Sequence, residues 1–207
     1  MASIPGIFGV ALNGLLDEVG TRASDNVRSA DMVVPFTVGS GPDLRDKIDE
    51  YERQLSRQIE ALNRMTANEV RENWDTVERE GKAQSEAREK YEELKRKEYL
   101  TEALGLEDDD PDALDGLTAE EWADKRTEEE MDRVAALHEP DLVAGGRDEI
   151  PDDNGMPSMG DRNVNSSIGS QWQGRRDEFE EYIDRLIAEG RGDDKLDLGW
   201  ILEGPKK

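Results

Sequence analysis

The stretch Asp43-Leu44-Arg45-Asp46-Lys47-Ile48-Asp49-Glu50-Tyr51-Glu52-Arg53-Gln54-Leu55-Ser56-Arg57-Gln58-Ile59-Glu60-Ala61-Leu62-Asn63-Arg64-Met65 sets the architecture. Its apolar residues Leu44, Ile48, Tyr51, Leu55, Ile59, Leu62 and Met65 recur at spacings of three and four, which puts them on one face of a helix. Immediately upstream, Gly39-Ser40-Gly41-Pro42 breaks the chain, and Met32-Val33-Val34-Pro35-Phe36-Thr37-Val38 reads as a short strand. Pro35 offers no amide hydrogen to a ladder, so that strand belongs at an edge or in an extended connector.

Downstream, Thr66 followed by Glu69 is a capping box that starts a second helix. Val70, Trp74 and Val77, then Tyr91, Leu94 and Leu104, continue a helical stripe, with Gly81 as the point where it bends or stops. These helices are expected to form a hairpin or clamp around the rest. Thr118 with Glu121 and Thr127 with Glu130 repeat the capping pattern, and the second is expected to open a short helix with Met131, Val134, Ala135 and His138 on one face. Pro140 disfavours helical geometry at Glu139, so that helix should end near His138, with Asp141 in the turn beyond. Residues 145–160 read as a loop, with Asn154-Gly155 as a tight turn. Phe179, Tyr182, Ile183, Leu186 and Ile187 make a last helix stopped at Gly190, and Leu196, Leu198, Trp200 and Leu202 alternate as a terminal strand. The fold class is α+β, predominantly α-helical with a few short strands.

The chain has 207 residues and a formal charge of −24. That length fits one main domain with a real core. With no cysteine, disulfides, thiolate nucleophiles and Cys-built zinc sites are excluded. No basic signal-peptide start is visible, and no apolar run approaches the roughly 20 residues needed to span a bilayer. Residues 1–31 read as an N-terminal lead-in or linker; their glycine-spaced apolar stretch Ile4 to Leu16 is too short to span a membrane. From Leu100 to Met131, 13 Asp and Glu stand against 2 Lys and Arg, which favours a solvated or loosely ordered segment. Such acidity repels a phosphate backbone unless cations are concentrated locally, a metal bridges the charges, or salt screens them.

The chain holds one histidine, His138, and an imidazole is the side chain best suited to move a proton near neutral pH. Asp141 lies three residues on. A second unusual run follows, in which Asp161, Arg162, Asn163, Asn165, Ser166, Ser167 and Gln171 set donors and acceptors among small glycines. This run suits close approach to a ligand better than a core helix, and is expected to fold as a polar loop over His138 and Asp141. Its structural alternative is an Asn/Ser-rich turn capping a helix, anchored by Trp172.

Leu137 to Gly146 (LHEPDLVAGG) followed by Gly160 to Trp172 (GDRNVNSSIGSQW) resembles the polymorphic toxin type 15 domain, a family marked by an HxxD motif. Tyr51 to Leu55 and Leu62 to Thr66 resemble that family's first helical part, so the likeness runs from about Val33 to Ile187. The resemblance implies an antibacterial effector with a nuclease domain over 32–207: a helical opening section 43–104, an acidic segment 105–130 and a catalytic core 131–207. It implies a metal-dependent DNase carried by a specialised secretion system, acting in the target-cell cytoplasm and neutralised by a cognate immunity protein. A secretion-system carrier or chaperone is a further expected partner. The motif residues carried over are His138 and Asp141.

Phosphodiester hydrolysis needs an activated water and neutralisation of developing charge. His138 is expected to be the general base, with Asp141 and Asp161 as ligands of a divalent cation such as Mg²⁺; the alternative makes His138 itself a ligand. Arg162, Asn163, Asn165, Ser166 and Gln171 are expected to bind or orient the phosphate. Two other readings compete: an RNase of the same fold, and a non-catalytic acidic module that binds a basic partner.

Overall fold

A computed structural model describes residues 21–78, 80–109 and 111–204. Helix accounts for 57% of it, in an α+β arrangement with small sheets. The first strands are β1 (Arg22–Ala23) and β2 (Met32–Thr37). After a single helical turn, α1 (Pro42–Arg45), the amphipathic stretch forms α2 (Ile48–Leu62). Its face of Tyr51, Leu55, Ile59 and Leu62 is buried, as the spacing predicts.

Thr66 caps α3 (Ala67–Thr76) through the predicted box, its hydroxyl accepting from Glu69 N while the Glu69 carboxylate accepts from Thr66 N. Gly81, at φ 72°, separates α3 from α4 (Lys82–Asp109). A 3₁₀ turn (Pro111–Leu114) leads to α5 (Ala119–Arg133), so the acidic segment forms much of a helical hairpin rather than a loose tract. The hairpin has its own apolar cluster of Ala103, Leu114 and Ala119, flanked by Leu100, Leu106 and Trp122.

Thr118 caps α5 with Glu121, but Thr127 opens no helix. It lies buried in the middle of α5, with its hydroxyl donating to Ala123 O. The helix ends at Arg133 and gives way to β3 (Val134–Ala136), so His138 follows a strand and is not near a helix C-terminus. β3 pairs antiparallel with β6 (Met159–Asp161), and between them β4 (Asp152–Asp153) and β5 (Met156–Pro157) form a hairpin around Asn154-Gly155. The turn residues sit at φ 53° and 90°, the left-handed geometry that Asn-Gly tolerates.

The second polar run is not a loop either. It is α6 (Arg162–Gly174), with Val164, Ile168 and Trp172 buried at helical spacing. α7 (Arg176–Ala188) and β7 (Leu198–Glu203) complete the chain.

β7 is the middle strand of the largest sheet, antiparallel to β1 and parallel to β2, in the register Met32↔Leu198 to Thr37↔Glu203. Leu198, Trp200 and Leu202 face the main core with Phe36, Tyr51, Trp172 and Phe179. Fully burying such a side chain contributes about 1.5–3 kcal/mol. The opposite face of β7 is covered by residues from the lead-in, where a Cβ on Gly199 would stand 3.0 Å from Ser24 Oγ and Val27 Cα. Within the stretch read as a lead-in, Arg22–Ala23 pair with β7; the apolar stretch at Ile4 to Leu16 lies outside the described residues. Among the described residues, no helix is long and apolar enough to cross a membrane.

β2 occupies the edge that Pro35 predicts. Met32 and Val38 direct their N–H groups to Asp197 O and Glu203 O on the β7 side. The odd-numbered residues therefore point outward, where Pro35 has no N–H and Thr37 N donates to Gln171 Oε1 at 2.8 Å.

Candidate functional site

The site is built on the loop from His138 to Asp148, and helices hold that loop from outside. Asn73 Nδ2 donates to Gly145 O at 2.8 Å, Trp74 Nε1 to Val143 O at 3.1 Å, and Arg176 Nη1 to the same carbonyl at 3.0 Å. Arg176 also lies over the Trp74 ring, 3.6 Å from its centroid. The two glycines of the motif are steric necessities. Gly145 adopts φ 90°, and a Cβ on Gly146 would fall 1.9 Å from Pro140 O. The Glu139–Pro140 bond is cis.

His138 is 8% exposed. Its Nε2 lies 2.9 Å from Asp148 Oδ1, a partner that sequence reasoning missed. Asp148 Oδ2 accepts from Glu80 N at 3.0 Å, which ties the pair to the joint between α3 and α4. The hydrogen bond from His138 holds the Asp148 carboxyl below its ordinary range. An ionised carboxylate only accepts, so the ring nitrogen that faces it, Nε2, carries a proton.

Asp141 does not meet His138 through a direct hydrogen bond. Its Oδ1 accepts from Val143 N at 2.8 Å and caps the 3₁₀ turn Leu142–Ala144. Its Oδ2 faces α6, 3.3 Å from where a Cβ on Gly169 would stand. Arg162, Asn165 and Ser166 lie seven, four and three residues before Gly169, on the same face of the helix. The structure therefore places Asp141 at the Gly169 end of the stripe that carries Ser166, Asn165 and, about 10 Å along the axis, Arg162. Arg162 Nη2 also donates to Met131 O at 3.2 Å.

The remaining candidates are placed differently. Asp161 caps α6, its Oδ1 accepting from Asn163 N and Val164 N, while Oδ2 pairs with Lys47 at 2.5 Å. Both oxygens are engaged, so Asp161 does not fit a metal ligand. Asn163 is exposed in the first turn. Gln171 spends its amide on β2, accepting from Thr37 N and donating to Thr37 O at 2.9 Å. Among the described residues, no three His, Asp or Glu side chains gather as a metal cage. Mg²⁺ is commonly held by one or two carboxylates together with substrate phosphate and water, and Asp141 Oδ2 suits that mode alone.

A buried histidine paired with a carboxylate, on a loop whose Asp141 faces a polar helix, defines a candidate acid–base site on a helical α+β frame. The chain belongs to the Novel toxin 15 (Ntox15) family, whose model matches residues 45–200. It is therefore a toxin domain of the polymorphic kind. No curated protein gave a significant match. The matched region starts at the end of α1 and runs into β7, beginning and ending later than the likeness from about Val33 to Ile187 read from sequence.

Proposed function

We propose that this toxin domain hydrolyses phosphodiester bonds of DNA, with His138 as general base. The observation that supports it is the buried His138–Asp148 pair at 2.9 Å. Asp148 orients the ring and balances the imidazolium formed when Nδ1 takes a proton from the attacking water. Arg162, on the stripe facing Asp141, neutralises phosphate charge, and Asn165 and Ser166 orient the phosphoryl oxygens. Asp141 would hold a divalent cation, probed as Mg²⁺, which when bound supplies Lewis-acid stabilisation of the phosphoryl group.

The choice of DNA over RNA follows the family resemblance. Delivery by a specialised secretion system into the target-cell cytoplasm, a carrier or chaperone, and a cognate immunity protein belong to the same proposal. Plasmid nicking with and without Mg²⁺ tests it: His138→Ala and Asp141→Asn should each abolish cleavage. Undiminished cleavage in both variants sinks it. Loss of chromosomal DNA rather than ribosomal RNA in an intoxicated cell is the expected substrate result.

A further inference from the structure

One face of α2 is lined by clefts along its whole length. Lys47, Glu50 and Arg53 line one of about 390 Å³, Arg57 one of about 300 Å³, and Ala61 and Arg64 one of about 460 Å³. The first two share Tyr91 and Met159 in their walls. The second and third meet at the Arg57–Glu139 pair, 2.8 Å long, and Glu139 is the residue after His138. From Lys47 to Arg64 at 1.5 Å per residue this track is about 26 Å long, enough for several nucleotides of an extended strand.

Charge sets this track apart. The chain has 51 acidic against 27 basic residues. The three clefts together are lined by seven cations and seven carboxylates. Three cation–carboxylate pairs lie within it, Glu50 with Arg53, Asp161 with Lys47 and Glu139 with Arg57, so the lining is neutral overall on a chain that is strongly acidic. Arg64, Arg133 and Arg147 are exposed residues along the rim; Glu60 stands 3.7 Å from the Arg64 guanidinium, and Arg147 Nε donates to Asn73 Oδ1 at 3.4 Å. On a surface that repels polyanions, this is a path where local cations are concentrated. Apolar floors of Pro157 and Met159, and of Met65, Ile150 and Pro151, give each cleft a surface for a base.

We propose that the α2 track binds a single nucleic-acid strand, its phosphates on Arg64, Arg133 and Arg147 and its bases in the clefts, leading it past the loop that carries His138. This rests on the nuclease reading. Such binding combines a cationic rim with base-sized apolar surface and is strongly salt-dependent.

The test uses the full chain carrying His138→Ala and a labelled single-stranded oligodeoxynucleotide, with affinity read by fluorescence anisotropy across a salt series. Arg64→Glu and Arg133→Glu should each weaken binding and reduce the salt slope by about 0.7. Arg96→Glu, an equal charge change on α4 away from the clefts, should leave both unchanged. Equal weakening by all three reversals means that net charge alone acts, and overturns the track. Tighter binding to the matching duplex overturns the single-strand assignment. If the wild-type chain cleaves DNA and the reversals change nothing, the track falls while the nuclease reading stands. If the wild-type chain cleaves nothing and the His138→Ala chain binds nothing, both fall.

Discussion

His138 Nε2 and Asp148 Oδ1 lie 2.9 Å apart, although a cis-proline turn and the two glycines of the motif separate them in the chain. The contact makes Asp148 a positioning residue that acts through the imidazole. Asp148→Asn keeps the shape but removes the anion. Its cleavage rate should fall by about 10²–10⁴-fold, with the acid limb of the rate–pH profile displaced to lower pH. A purely structural role would lower the rate equally at every pH.

The same contact has a signature in stability. Asp148 titrates below its ordinary value of 3.8, chiefly through the hydrogen bond from His138. A depressed carboxyl contributes stability above its unfolded value, and the contribution is lost as pH falls through the folded one. Urea unfolding should therefore show this contribution intact from neutral pH down to about pH 4 and eroding below, with the erosion reduced in Asp148→Asn.

Gly169 separates stability from activity. Replacing a helix-interior Gly by Ala favours the helix by about 0.5–1 kcal/mol, while the new Cβ would press on Asp141 Oδ2. Gly169→Ala should stay within about 1 kcal/mol of wild type in urea unfolding yet cleave more slowly. Unchanged cleavage would remove Asp141 from the chemistry.

Gln171 should behave in the opposite sense. Losing its two hydrogen bonds to Thr37 should cost about 1–2 kcal/mol of stability. Substrate KM should not move in Gln171→Ala. A raised KM with unaltered stability would return Gln171 to the substrate.

Gly146→Ala tests why the motif ends in two glycines. A Cβ there would meet Pro140 O inside van der Waals contact, and the strain should cost about 3 kcal/mol. Thermal unfolding should fall by roughly 6–12 °C.

Much of the frame was legible because it follows local rules. The α2 stripe, the Thr66 and Thr118 boxes, the Asn154-Gly155 turn and the Pro35 edge each depend on a few neighbouring residues. Thr127 and Glu130 misled because the same spacing arises inside a helix. There Thr127 is buried by its own face of α5, and Glu130 accepts from Tyr91 Oη at 2.9 Å. The helix α6 had its signal in Val164, Ile168 and Trp172, outweighed by the polar residues between them. Asp148 had none: it is one carboxylate in an acidic, proline-rich segment, and only the fold of that segment selects it. His138 and Asp141 were found from sequence as a motif, but their roles diverge in space, one toward Asp148 and the other toward Gly169.

The outer edge of β2 is where Pro35 lacks a donor and Gln171 occupies the backbone of Thr37. An edge treated in this way cannot template an added strand. A protein that captures or silences this domain finds no strand to extend along β2, and copies of the domain have no β-sheet route along that edge into a chain of their own.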